Sequence, residues 1–225
     1  NMLSPDVVTI GNHEIDYGIA HLLFLEKCAK FPIINANMRI TTNHARLFRS
    51  HHIIEIDGMK ILFIGILTET VLSMARKEEL VGGFVDVHDA ATEIARICNA
   101  YHSMDIDCTV LLTHIGFEED KKLAELLDPD WGVDLIIGGH SHTLLEEPCV
   151  VNGIAIAQAV TGTDLIGGFD ITVDTDTNAI ANYSWQLIPI DDTHCPRDPA
   201  LEALLGRYTE ATDKKYARSI TRFAD

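Results

Sequence analysis

Basic residues are scarce in this sequence: 225 residues carry 17 Lys and Arg against 34 Asp and Glu, a formal net charge of −17. A broad electrostatic grip on a nucleic acid polymer or an anionic membrane needs clustered Lys and Arg, so the balance argues against both partners. Long apolar runs are missing too, and none approaches the roughly 18 residues of a membrane span. Cysteine is sparse and unpatterned. The five thiols (Cys28, Cys98, Cys108, Cys149 and Cys195) are odd in number, scattered and without a C-x-x-C pair, which speaks against a zinc knuckle or a small disulfide framework. There are no internal repeats and no low-complexity tracts. The opening residues, Asn1-Met2-Leu3-Ser4-Pro5-Asp6, run straight into a strand and read like the middle of a domain; they carry no information on compartment.

What is present is a globular composition, 47% hydrophobic and 23% charged, with length enough for one full core. Three blocks then stand out: Gly11-Asn12-His13-Glu14, Thr113-His114 and Gly138-Gly139-His140-Ser141-His142. Each follows a short apolar run, which is where a buried strand gives way to a loop and where open α/β sheets place their chemistry. In a chain this acidic, an anionic substrate must be attracted locally, and bound cations would do it.

The periodicities outline an α/β domain. A strand over Val7 to Ile10 leads into the Gly11 loop and a helix from Ile19 to Ala29, with Leu22, Leu23, Leu25 and Ala29 at helical spacing. Ile33-Ile34 starts the next strand. The runs Ile53 to Ile56 and Ile61 to Ile66 flank Asp57-Gly58, a pairing that favours a tight hairpin. Val87 to Tyr101 reads as a helix with Ala90, Ile94, Ile97 and Tyr101 along one face. A strand over Cys108 to Leu112 delivers Thr113-His114, an acidic-fronted helix spans Glu118 to Leu127, and a strand over Val133 to Ile137 delivers Gly138 to Thr143. Ile154 to Ala159, Leu165 to Val173 and Ile180 to Ile188 are strand-like, with Asp174 to Asn178 turning between the last two. After the break at Pro196 to Pro199, Leu201 to Tyr216 is a charged helix with the character of a connector.

Within the blocks, His140 and His142 are two residues apart, so an extended backbone would put both rings on one side. Two converging imidazoles suit zinc, and tolerably manganese or iron, although H-x-H alone is equally compatible with an ordinary surface strand. Asn12 and His13 are neighbours facing different ways, which suggests the Asn12 carbonyl on a metal and His13 turned to substrate. Asp16 could orient and charge the His13 ring. Each residue singly also fits a structural role: a lone histidine after a strand is more often a satisfied structural group. Phe117, beside His114, fits packing better than substrate contact, and Glu14 could brace the Asn12 loop.

Taken together, Gly11-Asn12-His13-Glu14-x-Asp16-Tyr17-Gly18, Asn35-Ala36-Asn37-Met38, Thr113-His114-x-Gly116 and Gly138-Gly139-His140-Ser141-His142-Thr143 resemble the calcineurin-like metallophosphoesterase domain of the 5'-nucleotidase family, over about Asp6 to Ile190. That family includes 5'-nucleotidases, UDP-sugar hydrolases and 2',3'-cyclic nucleotide phosphodiesterases. The resemblance implies a four-layer α/β/β/α sandwich with two divalent ions (Zn, Mn, Co, Fe or Mg) at the loop end of the sheets. By it, Asn12, His114 and His140 would bind one ion and His142 the other. His13 would stabilise the transition state with Asp16 as its partner. The substrate would be a small phosphate ester, a nucleotide by family, with the substrate-binding residues unassigned. Location would be periplasmic, secreted or at the cell surface. Residues 1–192 would form the phosphoesterase domain and residues 193–225 a connector helix toward a C-terminal domain outside this sequence.

The sequence also departs from the family pattern. Relatives carry an Asp-x-His and a Gly-Asp block ahead of the Asn-His-Glu block, and neither is here. The domain is therefore expected to be N-terminally incomplete, to hold one ion well, to be impaired as an enzyme by itself and to expose strands that invite pairing with a missing segment or another chain. Neither Asp6, ahead of its strand, nor Asp134, expected inside a strand facing the core, replaces the Gly-Asp carboxylate that bridges the two ions in relatives. The competing expectation is a non-catalytic binding module that keeps the fold and a degenerate single-metal site. A domain turned to sulfur or lipid chemistry has no direct support in these residues.

Overall fold

The computed structural model describes residues 1–69, 85–162 and 164–217. Its centre is a six-stranded sheet in the order β4-β5-β7-β8-β10-β9. The members are β4 (His51–Ile56), β5 (Met59–Leu67), β7 (Cys108–His114), β8 (Leu135–Ile137), β10 (Ile154–Ala157) and β9 (Cys149–Val151). The inner four run parallel, and β4 and β9 close the edges antiparallel. All four parallel strands therefore end on one side, at Leu67, His114, Ile137 and Ala157.

The strands sort their side chains by pleat. Leu62, Ile64, Ile66, Leu111, Ile136 and Ile156 face α2 (Ala90–Tyr101) and α3 (Phe117–Leu126), where they meet Ile94, Ile97, Leu123 and Ala124. On the opposite pleat Cys108, Val110, Leu135 and Ala155 receive Phe169, Ile171 and Tyr183 from the hairpin of β11 (Leu165–Asp174) and β12 (Ala179–Pro189). Helices, sheet and hairpin stack as the α/β/β layers of the expected sandwich. A short parallel pair, β1 (Val8–Thr9) and β2 (Ile33–Ile34), with α1 (Ile19–Cys28), buries Ile10, Ile15 and Leu22 in a second cluster with Met38, Phe48 and Leu67. This pair meets the sheet at Gly65, where any Cβ would collide with the Ile34 carbonyl oxygen. Glycine there is a matter of space.

The Asp57-Gly58 hairpin forms as expected, with both residues at positive φ (51° and 87°), the type I′ arrangement that matches strand twist. Other elements differ from the sequence pattern. Val87 ends a strand, β6 (Val85–Val87), paired with β3 (Met38–Ile40); the helix starts at Ala90, after Asp89 accepts a bond from the Thr92 amide. Strands β3, β6 and β9 have no counterpart in the periodicities. Helix α1 buries only Leu22, while Leu25 is exposed. Asp134 lies just ahead of β8, where its carboxylate accepts from the Thr109 and Ile180 amides and so ties sheet to hairpin. All five cysteines are free. Helix α4 (Pro199–Tyr216) buries none of its residues.

Candidate metal centre

Three chain segments meet beyond the ends of β1, β7 and β8. The Asn12 Oδ1 lies 2.7 Å from His114 Nε2 and 3.4 Å from His140 Nδ1. The two rings stand 5.1 Å apart at 64°. Nitrogen and oxygen ligands about 2.0–2.2 Å from a shared ion sit roughly 3–3.5 Å from one another, so these separations are close to those of a ligand set. One amide oxygen and two imidazole nitrogens also suit a borderline divalent cation. Among the described residues no three His, Cys, Asp or Glu side chains converge in this way; the third member of this set is Asn12.

The His114 ring occupies space left by glycine. A Cβ at Gly11 would lie 2.8 Å from His114 Cε1, and one at Gly139 would lie 3.0 Å from His114 Nδ1. Burial, then the neighbouring His140, hold the His114 ring below the ordinary imidazole range. That favours the neutral form, whose lone pair a cation needs. The Asn12 loop is braced as the sequence suggested: Glu14 accepts from the Gly11 amide at 2.7 Å.

His13 begins a single 3-10 turn, His13–Ile15, and points to solvent. Its Nδ1 is 2.8 Å from Asp16 Oδ2, both side chains being exposed. The hydrogen bond to Asp16 and then its charge raise the His13 pKa, which favours an imidazolium that keeps Nε2–H free to face an anion.

His142 differs from expectation. His140 and His142 have φ of 79° and 55°, so the segment is a left-handed loop and the extended-strand argument for parallel side chains fails. His142 is exposed. The loop is instead held by Gln158, whose Oε1 accepts from Ser141 Oγ at 2.9 Å and from the Thr143 amide at 3.0 Å. Ser141 Oγ in turn accepts from the Phe117 amide at 3.0 Å, and the Phe117 ring packs partly buried against the main core. Asn35 and Asn37 are buried spacers: Asn37 bonds the Leu67 amide and carbonyl, and Asn35 accepts from the Met38 amide.

Gln158 and Asp120 are the site-supporting residues that sequence reasoning missed. Asp120 is 1% exposed, and its Oδ1 accepts from Thr113 Oγ1 at 2.6 Å. Burial pushes its carboxyl up to about 7. The signal was the Gly138-Gly139 pair, neither of which has the positive φ that would explain glycine by conformation.

No family model matches the chain. A 5'-nucleotidase-related protein of Glossina morsitans morsitans is 36% identical over 148 residues, which are 64% of this chain and 26% of that protein. Endonuclease YhcR of Bacillus subtilis (strain 168) is 25% identical over 223 residues, 90% of this chain and 18% of that protein. The crystal structure of a 5'-nucleotidase precursor from Thermus thermophilus matches with a TM-score of 0.81 at 26% identity, covering 93% of this chain and 44% of that one. The chain spans between 16% and 40% of the length of the curated relatives it matches. The mixed sheet and its flanking helices have the fold of a calcineurin-like phosphoesterase: YfkN of Bacillus subtilis matches with a TM-score of 0.82 at 22% identity, over 96% of this chain and 73% of that one. Within that fold the chain is similar to 5'-nucleotidases, and calcineurin-like phosphoesterases generally use divalent metals.

Proposed function

We propose that this domain hydrolyses phosphate esters of nucleotides, with Asn12, His114 and His140 holding one divalent ion, His142 serving a second, and His13 with Asp16 as the catalytic pair. The observation that carries the reading is the convergence of Asn12 Oδ1, His114 Nε2 and His140 Nδ1 from three separate strand ends. A divalent ion held there supplies charge neutralisation and Lewis acidity at a phosphoryl group. The chain's own residues do the rest. Asn12 contributes a neutral oxygen and the two histidines neutral nitrogens, so the ligand set leaves the cation's charge available to an anionic substrate. Asp16 holds Nδ1–H of His13, and Nε2–H is left to donate to a phosphoryl oxygen as negative charge builds on it. Zinc, manganese, cobalt, iron and magnesium are the candidate ions, zinc and manganese fitting an oxygen and two nitrogens best.

Residues 1–192 act as the phosphoesterase unit and 193–225 as a connector, in keeping with α4 burying none of its residues. A periplasmic, secreted or cell-surface setting follows the family; no helix among the described residues is long and apolar enough to cross a membrane. The substrate is a small nucleotide ester, since a net charge of −17 opposes a long polyanion. Among the described residues, β1 and the β11–β12 hairpin keep unpaired edges that a further strand would extend.

The test is hydrolysis of a nucleoside monophosphate and of an aryl phosphate by the intact protein with manganese, zinc or cobalt. His13→Ala is expected to lower turnover by about 10²–10⁴ while bound metal is unchanged. Metal binding without hydrolysis of any phosphate ester would favour the non-catalytic binding module instead.

A further inference from the structure

We propose that Asp120 is the positioning residue of this centre: one buried carboxyl on the first turn of α3 fixes the ends of β7 and β8 in the register at which His114 and His140 converge. The inference rests on the reading of those two histidines as ligands. Three observations carry it. Asp120 Oδ1 takes the Thr113 hydroxyl at 2.6 Å, and Thr113 is the residue immediately before His114. The other oxygen, Oδ2, has no hydrogen-bond partner among the described residues and fills the space that a Gly138 Cβ would need, so it rests against the main chain at the start of the Gly138-Gly139-His140 loop. Finally, the carboxyl is 1% exposed, so water does not compete for either contact.

The geometry gives these contacts a consequence at the ligands. Strands β7 and β8 are paired through Leu112 and Ile137, one residue short of Thr113 and Gly138 respectively. Past that last ladder pair, Asp120 touches both chains, at Thr113 and at Gly138. The His114 ring then fits only because Gly139 keeps its Cβ position open at 3.0 Å from Nδ1. A shift of Gly138 relative to Thr113 would carry Gly139 into that ring or away from it. Gly138 is thereby explained as well: any side chain there meets Asp120, and its backbone needs no left-handed conformation.

A buried acid with a purely structural role would affect stability alone, so the test reads metal affinity and ring position separately. Cobalt(II) is titrated into the full chain and followed by visible absorption, for the wild type, Asp120→Asn, Asp120→Leu and Thr113→Val, with the folded fraction checked by circular dichroism. Asp120→Asn keeps an oxygen for Thr113 and nearly the same volume, and should stay within about 3-fold of the wild type. Asp120→Leu should weaken cobalt binding by about 10–100-fold, the range for removing an outer partner of metal ligands. Should the Leu variant not fold, Thr113→Val, which removes only the hydroxyl donor, carries the same direction of change. In the metal-free chain, the imidazole ¹⁵N resonances of His114 and His140 should move together in the Leu variant while those of the distant His51 stay. Lower stability with unchanged cobalt affinity would overturn the proposal. If the wild type binds no cobalt, the ligand assignment fails, and unmoved His114 and His140 resonances would then overturn the positioning role independently.

Discussion

Single residues decide the chemistry through their local electrostatics. His13 and Asp16 are both exposed, so their bond adds little to stability, but it biases the ring toward the charged form. Asp16→Asn removes the negative charge, and the His13 pKa should fall, as read by NMR titration of the ring. An unchanged pKa would separate the two residues. Asp120 behaves oppositely to an ordinary surface acid. Its folded pKa is raised from 3.8 to about 7 by burial, so the neutral form is favoured in the fold. The sign follows: its stabilising contribution is complete below the unfolded pKa and is lost as pH rises through about 7, a swing of at most about 4 kcal/mol. Asp120→Asn should therefore flatten the decline in stability between about pH 4 and pH 7, measured by urea denaturation. Asn12, His13, Asp16 and His114 were legible because they stand in short blocks directly after apolar runs. Asp120 was not, because its partners Thr113 and Gly138 reach it only through tertiary packing; in sequence it reads as one more acid in a helix's first turn.

Elements were legible where periodicity and turn chemistry agree. The Asp57-Gly58 hairpin, the α2 face of Ala90, Ile94, Ile97 and Tyr101, and the β11–β12 turn all follow from local pattern. The β3–β6 pair did not, since Val85–Val87 becomes a strand only by meeting Met38–Ile40, 45 or more residues away in sequence. The His140–His142 segment shows a different limit: spacing of two implies a shared face only if the backbone is extended, and here it is left-handed. The hairpin of β11 and β12 covers the sheet through another close approach that pattern does not reveal. A Cβ on Gly167 would collide with the Trp185 ring, whose Nε1 donates to the Leu145 carbonyl at 3.0 Å. Gly167→Ala should push the indole out, cost about 1–3 kcal/mol and shift Trp185 emission to the red. An unshifted spectrum would mean that the hairpin moves instead of the ring.

For the molecule as a whole, the parallel core gathers the ends of four strands on one side, and the loops after β7 and β8 there bring His114 and His140 within hydrogen-bonding distance of Asn12, from the loop after β1. The proposed handling of anionic esters by a chain of net charge −17 calls for a local positive centre, and the Asn12, His114 and His140 cluster is the proposed place for one. An ion bound only to the folded state should also raise the thermal midpoint as its free concentration rises. The central claim is tested most directly by metal content. After equilibration with zinc and removal of excess, elemental analysis of the full chain should show bound zinc, and the double variant His114→Ala with His140→Ala should show none. Zinc retained in that folded double variant, or absent from the wild type, would contradict the assignment of these residues as a metal centre.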